Sequence, residues 1–186
     1  MRQREERENI VGETAVSKKF DMKKFFKENW STVLMTAFVA VFALTLLLGL
    51  WKPVIVHQTS MYPTLEPKDY LFIVRTEDYD RGDIVVFSDE TVGQENLVKR
   101  IIGVAGDTVE IANGRVWLNG EELQEPYLDS SVVTDGSMVI TVSEDCVFLL
   151  GDNRPVSIDG RAFGEIPVGS ILGEAKLRLF HKITLF

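Results

Sequence analysis

Ser60 lies in Thr59-Ser60-Met61-Tyr62-Pro63-Thr64-Leu65, a turn-like segment just beyond a long apolar run, and its setting suits nucleophilic chemistry. A serine hydroxyl is a weak nucleophile at neutral pH and needs a base within hydrogen-bond reach. The chain has 2 histidines. His57 stands shortly before Ser60 in an extended-looking stretch and His181 sits in a basic, apolar tail, so neither makes a convincing Ser-His pair. The other solution is a lysine held neutral by burial. Lys99, in Asn96-Leu97-Val98-Lys99-Arg100-Ile101-Ile102-Gly103-Val104, has apolar and β-branched neighbours on both sides. Desolvation there disfavours the ammonium form and lowers the pKa toward that of a working base. Strand alternation admits a second reading, in which Lys99 points to water and Arg100 is a further surface charge. Spacing leaves both open.

A third polar stretch, Gly151-Asp152-Asn153-Arg154-Pro155-Val156-Ser157-Ile158-Asp159-Gly160-Arg161-Ala162-Phe163-Gly164, is dense in Gly, Asp, Asn and Arg. By composition alone it reads as a solvated turn region.

Taken together, these segments carry a resemblance. Ser60-Met61-Tyr62-Pro63-Thr64-Leu65 resembles the Ser-Met-x-Pro-Thr-Leu box of type I signal peptidases, membrane-anchored Ser/Lys proteases that remove signal peptides from exported proteins, in their short Gram-positive-like form. The segments 81–87, 98–107 and 151–164 follow in that family's order. The resemblance implies that Ser60 is the nucleophile and Lys99 the general base, that Ser157 hydrogen-bonds Lys99, and that Asp159 and Arg161 form a supporting ion pair. Asp152 is expected in the same network. The backbone N–H of Ser60 would be the first oxyanion donor. Two positions depart from the pattern: Gln58 stands where Gly or Ser is usual, and Gly160 where Ser is usual, which bears on the oxyanion site and on the rigidity of the ion pair. By position, Met61, Leu65, Leu97 and Val98 would line a pocket for small residues before the cut, with core packing the competing reading for Leu65 and Leu97. The substrate would add as a strand near Val54 to Gln58.

Several elements must position these groups. Residues 1–30 hold eight Lys/Arg against six Asp/Glu, whereas residues 51–186 hold twelve against twenty-two, within an overall charge of -8. That acidic main body argues against a nucleic-acid partner, because no basic stripe is available to neutralise phosphates. Residues 1–17 read as a cytoplasmic tail. Residues 18–28, with Phe20, Phe25 and Phe26 among five lysines, read as a short amphipathic helix at a membrane surface. From Ser31 to Leu50 no residue is charged. Such a run is about 30 Å long as a helix, the thickness of a bilayer core, and Trp30 and Trp51 bracket it as interface aromatics do. We expect a transmembrane helix over 31–51 rather than a cleaved leader, since the run exceeds a leader's apolar length and no small-x-small site follows. The basic N-terminal side sets that end in the cytoplasm and residues 52–186 outside. Ser60 would then stand within roughly 30 Å of the anchor's end.

Beyond residue 52 the pattern is one of short β-like runs, with Asn113-Gly114 and Asn119-Gly120 as tight-hairpin turns. The fold expected is mainly β, an antiparallel core with a small insertion around residues 107–145; the resemblance makes it the signal-peptidase core. Trp117, Phe148 and Leu149 read as packing. The single Cys146 cannot form an internal disulfide and reads as a small buried apolar residue, the alternative being a free thiol. No cofactor is implied and no metal, the His and Cys counts being too low for the usual ligand sets. The tail from Leu177 to Phe186 is too short and charged to span a bilayer and should close the sheet or touch lipid.

Signal peptides of preproteins and membrane lipid are the expected partners. One rival reading is a self-cleaving Ser/Lys peptidase of the SOS-repressor type, which the apolar run at 31–50 opposes. Another is an inactive signal-peptidase-like assembly factor or chaperone for surface proteins, which the presence of both Ser60 and Lys99 opposes and which Gln58 and Gly160 keep open.

Overall fold

The computed structural model describes residues 29–89, 94–179 and 183–186, together with Lys23 and Lys27. The expected cytoplasmic tail, most of the amphipathic segment and His181 lie outside the described residues. Two units are distinguished, residues 1–44 and residues 45–186.

The first unit holds most of helix α1, Trp30–Leu47, 18 residues without a charge. At 1.5 Å per residue it is about 27 Å long. Among the described residues no helix is long and apolar enough to cross a membrane. The helix ends short of the run's apolar limit: Leu48 and Gly49 form a turn, Gly49 at φ +70, and Lys52 opens a strand.

The second unit is antiparallel β-structure. Strands β1 (Lys52–Ile55), β2 (Tyr70–Val74), β3 (Ile84–Asp89), β4 (Gln94–Val104), β9 (Cys146–Leu150), β10 (Glu165–Pro167) and β11 (Ile171–Leu179) form one sheet in the order β1-β2-β11-β3-β4-β9-β10, and β12 (Thr184–Leu185) folds back on β11. A second sheet, in the order β7-β6-β5-β8, is made from β5 (Thr108–Ala112), β6 (Arg115–Leu118), β7 (Glu121–Glu122) and β8 (Met138–Thr141). Its hairpins close through Asn113-Gly114 (φ 54 and 78) and Asn119-Gly120 (φ 54 and 87), the paired positive φ values of a two-residue hairpin turn. The segment from Leu177 closes on the sheet, with Leu177 opposite Leu185.

Strand β4 is the hub of the large sheet. Its first part pairs with β3, placing Lys99 opposite Val85, and its second part pairs with β9 from Arg100 onward. Both faces of β4 are covered. Leu97 and Ile101 belong to a core with Val85, Phe87 and Leu149, while Val98 on the other face joins a core with Met61, Leu65 and Ile73. Ile102 enters a third core with Val109, Val116 and Phe148 that ties the small sheet to the large one. A strand covered on both faces does not obey the in-out alternation of a half-buried one. The reading that pointed Lys99 to water therefore fails, and Lys99 is 1% exposed. Phe148 and Leu149 are fully buried packing residues and Trp117 is half-buried. Cys146 is also only half-buried, not a core residue, and burial together with the Glu165 and Asp145 carboxylates raises its thiol pKa and keeps it protonated.

Candidate active site

Ser60 opens the turn that joins β1 to β2. Its carbonyl and that of Thr59 are held from the far end of the chain: the Asn153 N–H donates to Ser60 O at 2.9 Å and Asn153 Nδ2 donates to Thr59 O at 3.0 Å. The turn continues through Thr64, whose hydroxyl donates to Asp152 Oδ2 at 2.5 Å and whose carbonyl accepts from Arg178 Nη1 at 2.5 Å. Arg178, on β11, is buried with Asp69, and its Nε meets Asp69 Oδ2 at 2.7 Å as a charge contact rather than an aligned hydrogen bond. The segment bearing Ser60 is thus fixed at both ends, by the half-buried Asn153 and by the buried Asp152 and Arg178.

Lys99 reaches this turn from β4. Its Nζ lies 2.8 Å from Ser60 Oγ and donates to Val98 O at 3.2 Å. Burial lowers the Lys99 pKa from 10.5 to about 8, with the charges of Asp159 and Asp152 opposing the shift. The hydroxyl and the amine are both buried, Ser60 to 9% exposure. A serine hydroxyl against a buried amine of lowered pKa is an arrangement for proton removal and nucleophilic attack. His57 is exposed beside the same cleft, and the Ser60 hydroxyl meets Lys99 instead.

The polar stretch 151–164 wraps behind this pair and is not a solvated loop. Asp159 is 1% exposed. Arg161 grips it with two parallel hydrogen bonds, Nε to Oδ1 at 2.8 Å and Nη2 to Oδ2 at 2.9 Å, a fork that fixes geometry as well as charge. The Gly151 N–H donates to Asp159 Oδ2 at 3.0 Å, tying this pair to the strand end that faces Ser60. Asp159 also caps the short helix α2, Gly160–Phe163. Gly160 leaves the ion pair intact: a Cβ there would lie 2.7 Å from the Phe148 ring, so the ring occupies the space a serine side chain would need.

Two expectations are corrected. Ser157 does not bond Lys99 here. Its buried Oγ has no hydrogen-bond partner among the described residues, while the Lys99 amine is engaged by Ser60 Oγ and Val98 O. Ser157 is nevertheless close to the pair, packed on Gly151, where a Cβ would lie 2.1 Å from Ser157 Oγ and 2.6 Å from Ser60 O. Asp152 belongs not to the Asp159–Arg161 group but to a second one. It takes Arg100 Nε at 2.9 Å and Arg100 Nη2 at 2.7 Å, as well as the Thr64 hydroxyl. Arg100 is accordingly no surface charge: it is 8% exposed and lies 3.8 Å from the Tyr127 ring centroid.

Two cavities flank the Ser60 turn. The larger, about 420 Å³, is lined by His57, Gln58, Thr59, Ser60, Leu97, Val156 and Ile158. A smaller one of about 90 Å³ is bounded by Val56, Gln58, Ser60, Met61, Asn96 and Val98 among others. Of the expected pocket residues, Met61 and Val98 therefore border the small cavity and Leu97 the large one. Leu65, fully buried in the core, borders neither. Gln58 is exposed and faces both.

Sequence reasoning missed Asn153, Thr64, Arg100 and Arg178. It also missed Arg154, which is fully buried, donates from Nε to Gly151 O at 2.9 Å and from Nη1 to Thr134 at 2.6 Å, and pairs with Glu125. The density of polar residues at 151–154 was a signal. No local pattern could have joined Arg178 to Thr64, which are 114 positions apart.

With this geometry in hand, similarity to known proteins is informative. The sequence matches the family described as signal peptidase, peptidase S26, over residues 29–180. It is 34% identical over 172 residues to a signal peptidase I of Bacillus amyloliquefaciens, covering 85% of this chain and 90% of that one. Identity to signal peptidase I S of Bacillus subtilis is 36% over 146 residues, covering 71% of this chain and 77% of the other. A crystal structure of a signal peptidase I from Enterococcus faecalis aligns at 29% identity and a TM-score of 0.47, covering 54% of this chain and 98% of that one.

Proposed function

The chain belongs to the signal peptidase family, peptidase S26, and from that premise we propose that Ser60 and Lys99 are the nucleophile and general base with which it works. It is a serine endopeptidase that removes signal peptides. The observation that carries the dyad is the 2.8 Å approach of Lys99 Nζ to Ser60 Oγ inside the protein, where burial lowers the amine's pKa to about 8.

The chemistry is acyl transfer. Neutral Lys99 accepts the Ser60 hydroxyl proton as Oγ attacks the carbonyl of the residue before the cut. The tetrahedral oxyanion is met by the Ser60 N–H, with the exposed Gln58 amide beside it as a second donor. Lys99 then gives its proton to the leaving amine. Water, deprotonated by the same lysine, attacks the ester carbon and frees Ser60.

The substrate is a signal peptide of an exported preprotein, cut after a small-x-small sequence. Residues 97–99 of β4 pair with β3 on one side, and pairing with β9 begins only at Arg100. An extended peptide laid between that open edge and residues 56–58 would set alternate side chains into the two cavities. The smaller one, beside Met61 and Val98, favours a short side chain. Asp159, Arg161 and Asp152 keep the frame behind the dyad rigid, with Ser157 beside it.

We assign residues 31–51 to a single membrane anchor, with the N-terminus cytoplasmic and residues 52–186 extracytoplasmic. The uncharged run and the lysines before it support this topology. The inactive assembly-factor reading is not favoured, since both dyad residues are present and in contact.

Cleavage of a preprotein bearing an Ala-x-Ala site by the detergent-solubilised chain tests the assignment. Ser60→Ala and Lys99→Ala should abolish cutting while His57→Ala retains it. Cutting that survives Lys99→Ala would sink the dyad.

A further inference from the structure

The direction of one peptide group decides whether the Ser60 N–H can meet an oxyanion, and that group is the Thr59–Ser60 peptide. A trans peptide is planar, with its C=O and N–H pointing to opposite sides, so whatever fixes the oxygen also fixes the N–H. Two donors fix the oxygen: Asn153 Nδ2 at 3.0 Å and the Tyr62 N–H at 3.1 Å. The next carbonyl, that of Ser60, accepts from the Asn153 N–H at 2.9 Å. No acceptor among the described residues takes the Ser60 N–H itself. That donor stays open on the side away from Asn153.

Asn153 is well placed for such a task because both of its neighbours are buried and hydrogen-bonded. Asp152 is locked by Arg100 and Thr64, and Arg154 is locked by Gly151 O, Thr134 and Glu125. Its own carbonyl accepts from the N–H groups of Val156 and Ser157 at 3.2 and 3.0 Å. A half-buried amide is thus carried on a rigid support and reaches across 94 positions of sequence to the nucleophile's peptide. The residue type follows from the contact. An amide nitrogen donates to a carbonyl, whereas an ionised carboxylate of the same shape accepts only and would repel it.

We propose that Asn153 is the positioning residue of the oxyanion site: it aims the Ser60 N–H at the scissile carbonyl oxygen and, by hydrogen-bonding the other end of the peptide, strengthens that N–H as a donor. The inference rests on Ser60 being the nucleophile. Asn153 touches neither substrate nor the reacting atoms; its effect passes through the peptide it holds.

The test uses the full chain with Asn153→Ala and Asn153→Asp, and Ser60→Ala as reference. An Ala-x-Ala substrate gives kcat and KM. Affinity is measured for a peptide aldehyde, whose adduct with Ser60 carries an oxyanion, and for the matching uncleavable peptide, which carries none. Loss of a whole oxyanion donor costs about 100- to 1000-fold in kcat, so misaiming one should cost about 10- to 100-fold in Asn153→Ala and more in Asn153→Asp. KM should stay within about twofold, aldehyde affinity should fall in step with kcat, and uncleavable-peptide affinity should hold. The midpoint of the pH profile, which reports Lys99, should not move in Asn153→Ala, whereas the added carboxylate of Asn153→Asp should raise it.

Wild-type kcat in Asn153→Ala, with Ser60→Ala inactive, overturns this proposal and leaves the dyad standing. Equal losses for aldehyde and uncleavable peptide, or a collapsed thermal transition in both Asn153 variants, assign Asn153 a merely structural role and also overturn it. Cleavage by Ser60→Ala removes the nucleophile reading, and the proposal with it.

Discussion

At pH 7 most Lys99 side chains still carry the proton that burial disfavours, because their pKa is about 8 against 10.5 in the open chain. Between those values the unfolded chain binds more protons than the folded one, so the lysine's penalty is full below pH 8 and is relieved as pH rises toward 10.5. The difference is worth about 3 kcal/mol. Lys99→Met should therefore abolish cleavage yet raise the melting temperature at pH 7, with the gain shrinking at pH 10; calorimetry at the two pH values checks it. In the unmodified chain kcat/KM should climb with pH and level off above about pH 8, since the base acts when neutral. A profile that falls through pH 8 would contradict that role. Gly151 sets a second limit at this scale. The Cβ of Gly151→Ala would meet Ser157 Oγ at 2.1 Å and Ser60 O at 2.6 Å. Overpacking of this kind costs about 1–3 kcal/mol, and because the displaced atom belongs to the nucleophile, kcat should fall by more than the stability loss accounts for. Stopped assays on the folded fraction separate the two. The Ser60 and Lys99 residues were legible in the sequence from their types and the boxes around them, while Asn153 was not, because its role depends on a contact between distant segments.

Elements explain why those residues meet. Strand β4 passes from β3 to β9 at Arg100, and both of its faces are roofed, so two consecutive cations are buried on opposite sides of one strand. Each finds a different partner: Lys99 the Ser60 hydroxyl, Arg100 the Asp152 carboxylate. Strand β11 does similar work under the Ser60 turn. Arg178 projects from it to Asp69 and the Thr64 carbonyl. Removing one partner of a buried ion pair costs about 3–5 kcal/mol, since the other charge is left without compensation. Arg178→Met should therefore lower stability by that order in urea titration and loosen the turn that bears Ser60. Restoring volume elsewhere should not rescue it, whereas Asp69→Asn in the same chain should recover part of the loss. Most strand positions and both Asn-Gly hairpins followed from alternation and turn chemistry. The short strands β1, β7, β10 and β12 had no such pattern, being defined by what they pair with.

For the molecule as a whole, the sequence contrast between a basic start, an uncharged run at 31–50 and an acidic remainder argues for an anchored enzyme that works outside the membrane. Protease added to intact cells should digest residues 52–186 and spare the N-terminal part, and the chain should stay with the membrane after alkaline extraction; release into the supernatant would refute the anchor. The sequence by itself determined the mainly β architecture, which depends on period and turn chemistry, and through its resemblance to a known family it also indicated the chemical type of the protein and the identity of the proposed dyad. Only the tertiary structure decided the environment of each charge. It buried Lys99 and Arg100 rather than exposing one, moved Asp152 from the Asp159 group to Arg100, left Ser157 packed on Gly151 without a bond to Lys99, and withdrew Leu65 from the pocket into the core. Desolvation and hydrogen-bond partnership are properties of what surrounds a group in space, and those neighbours lie tens of residues away along the chain.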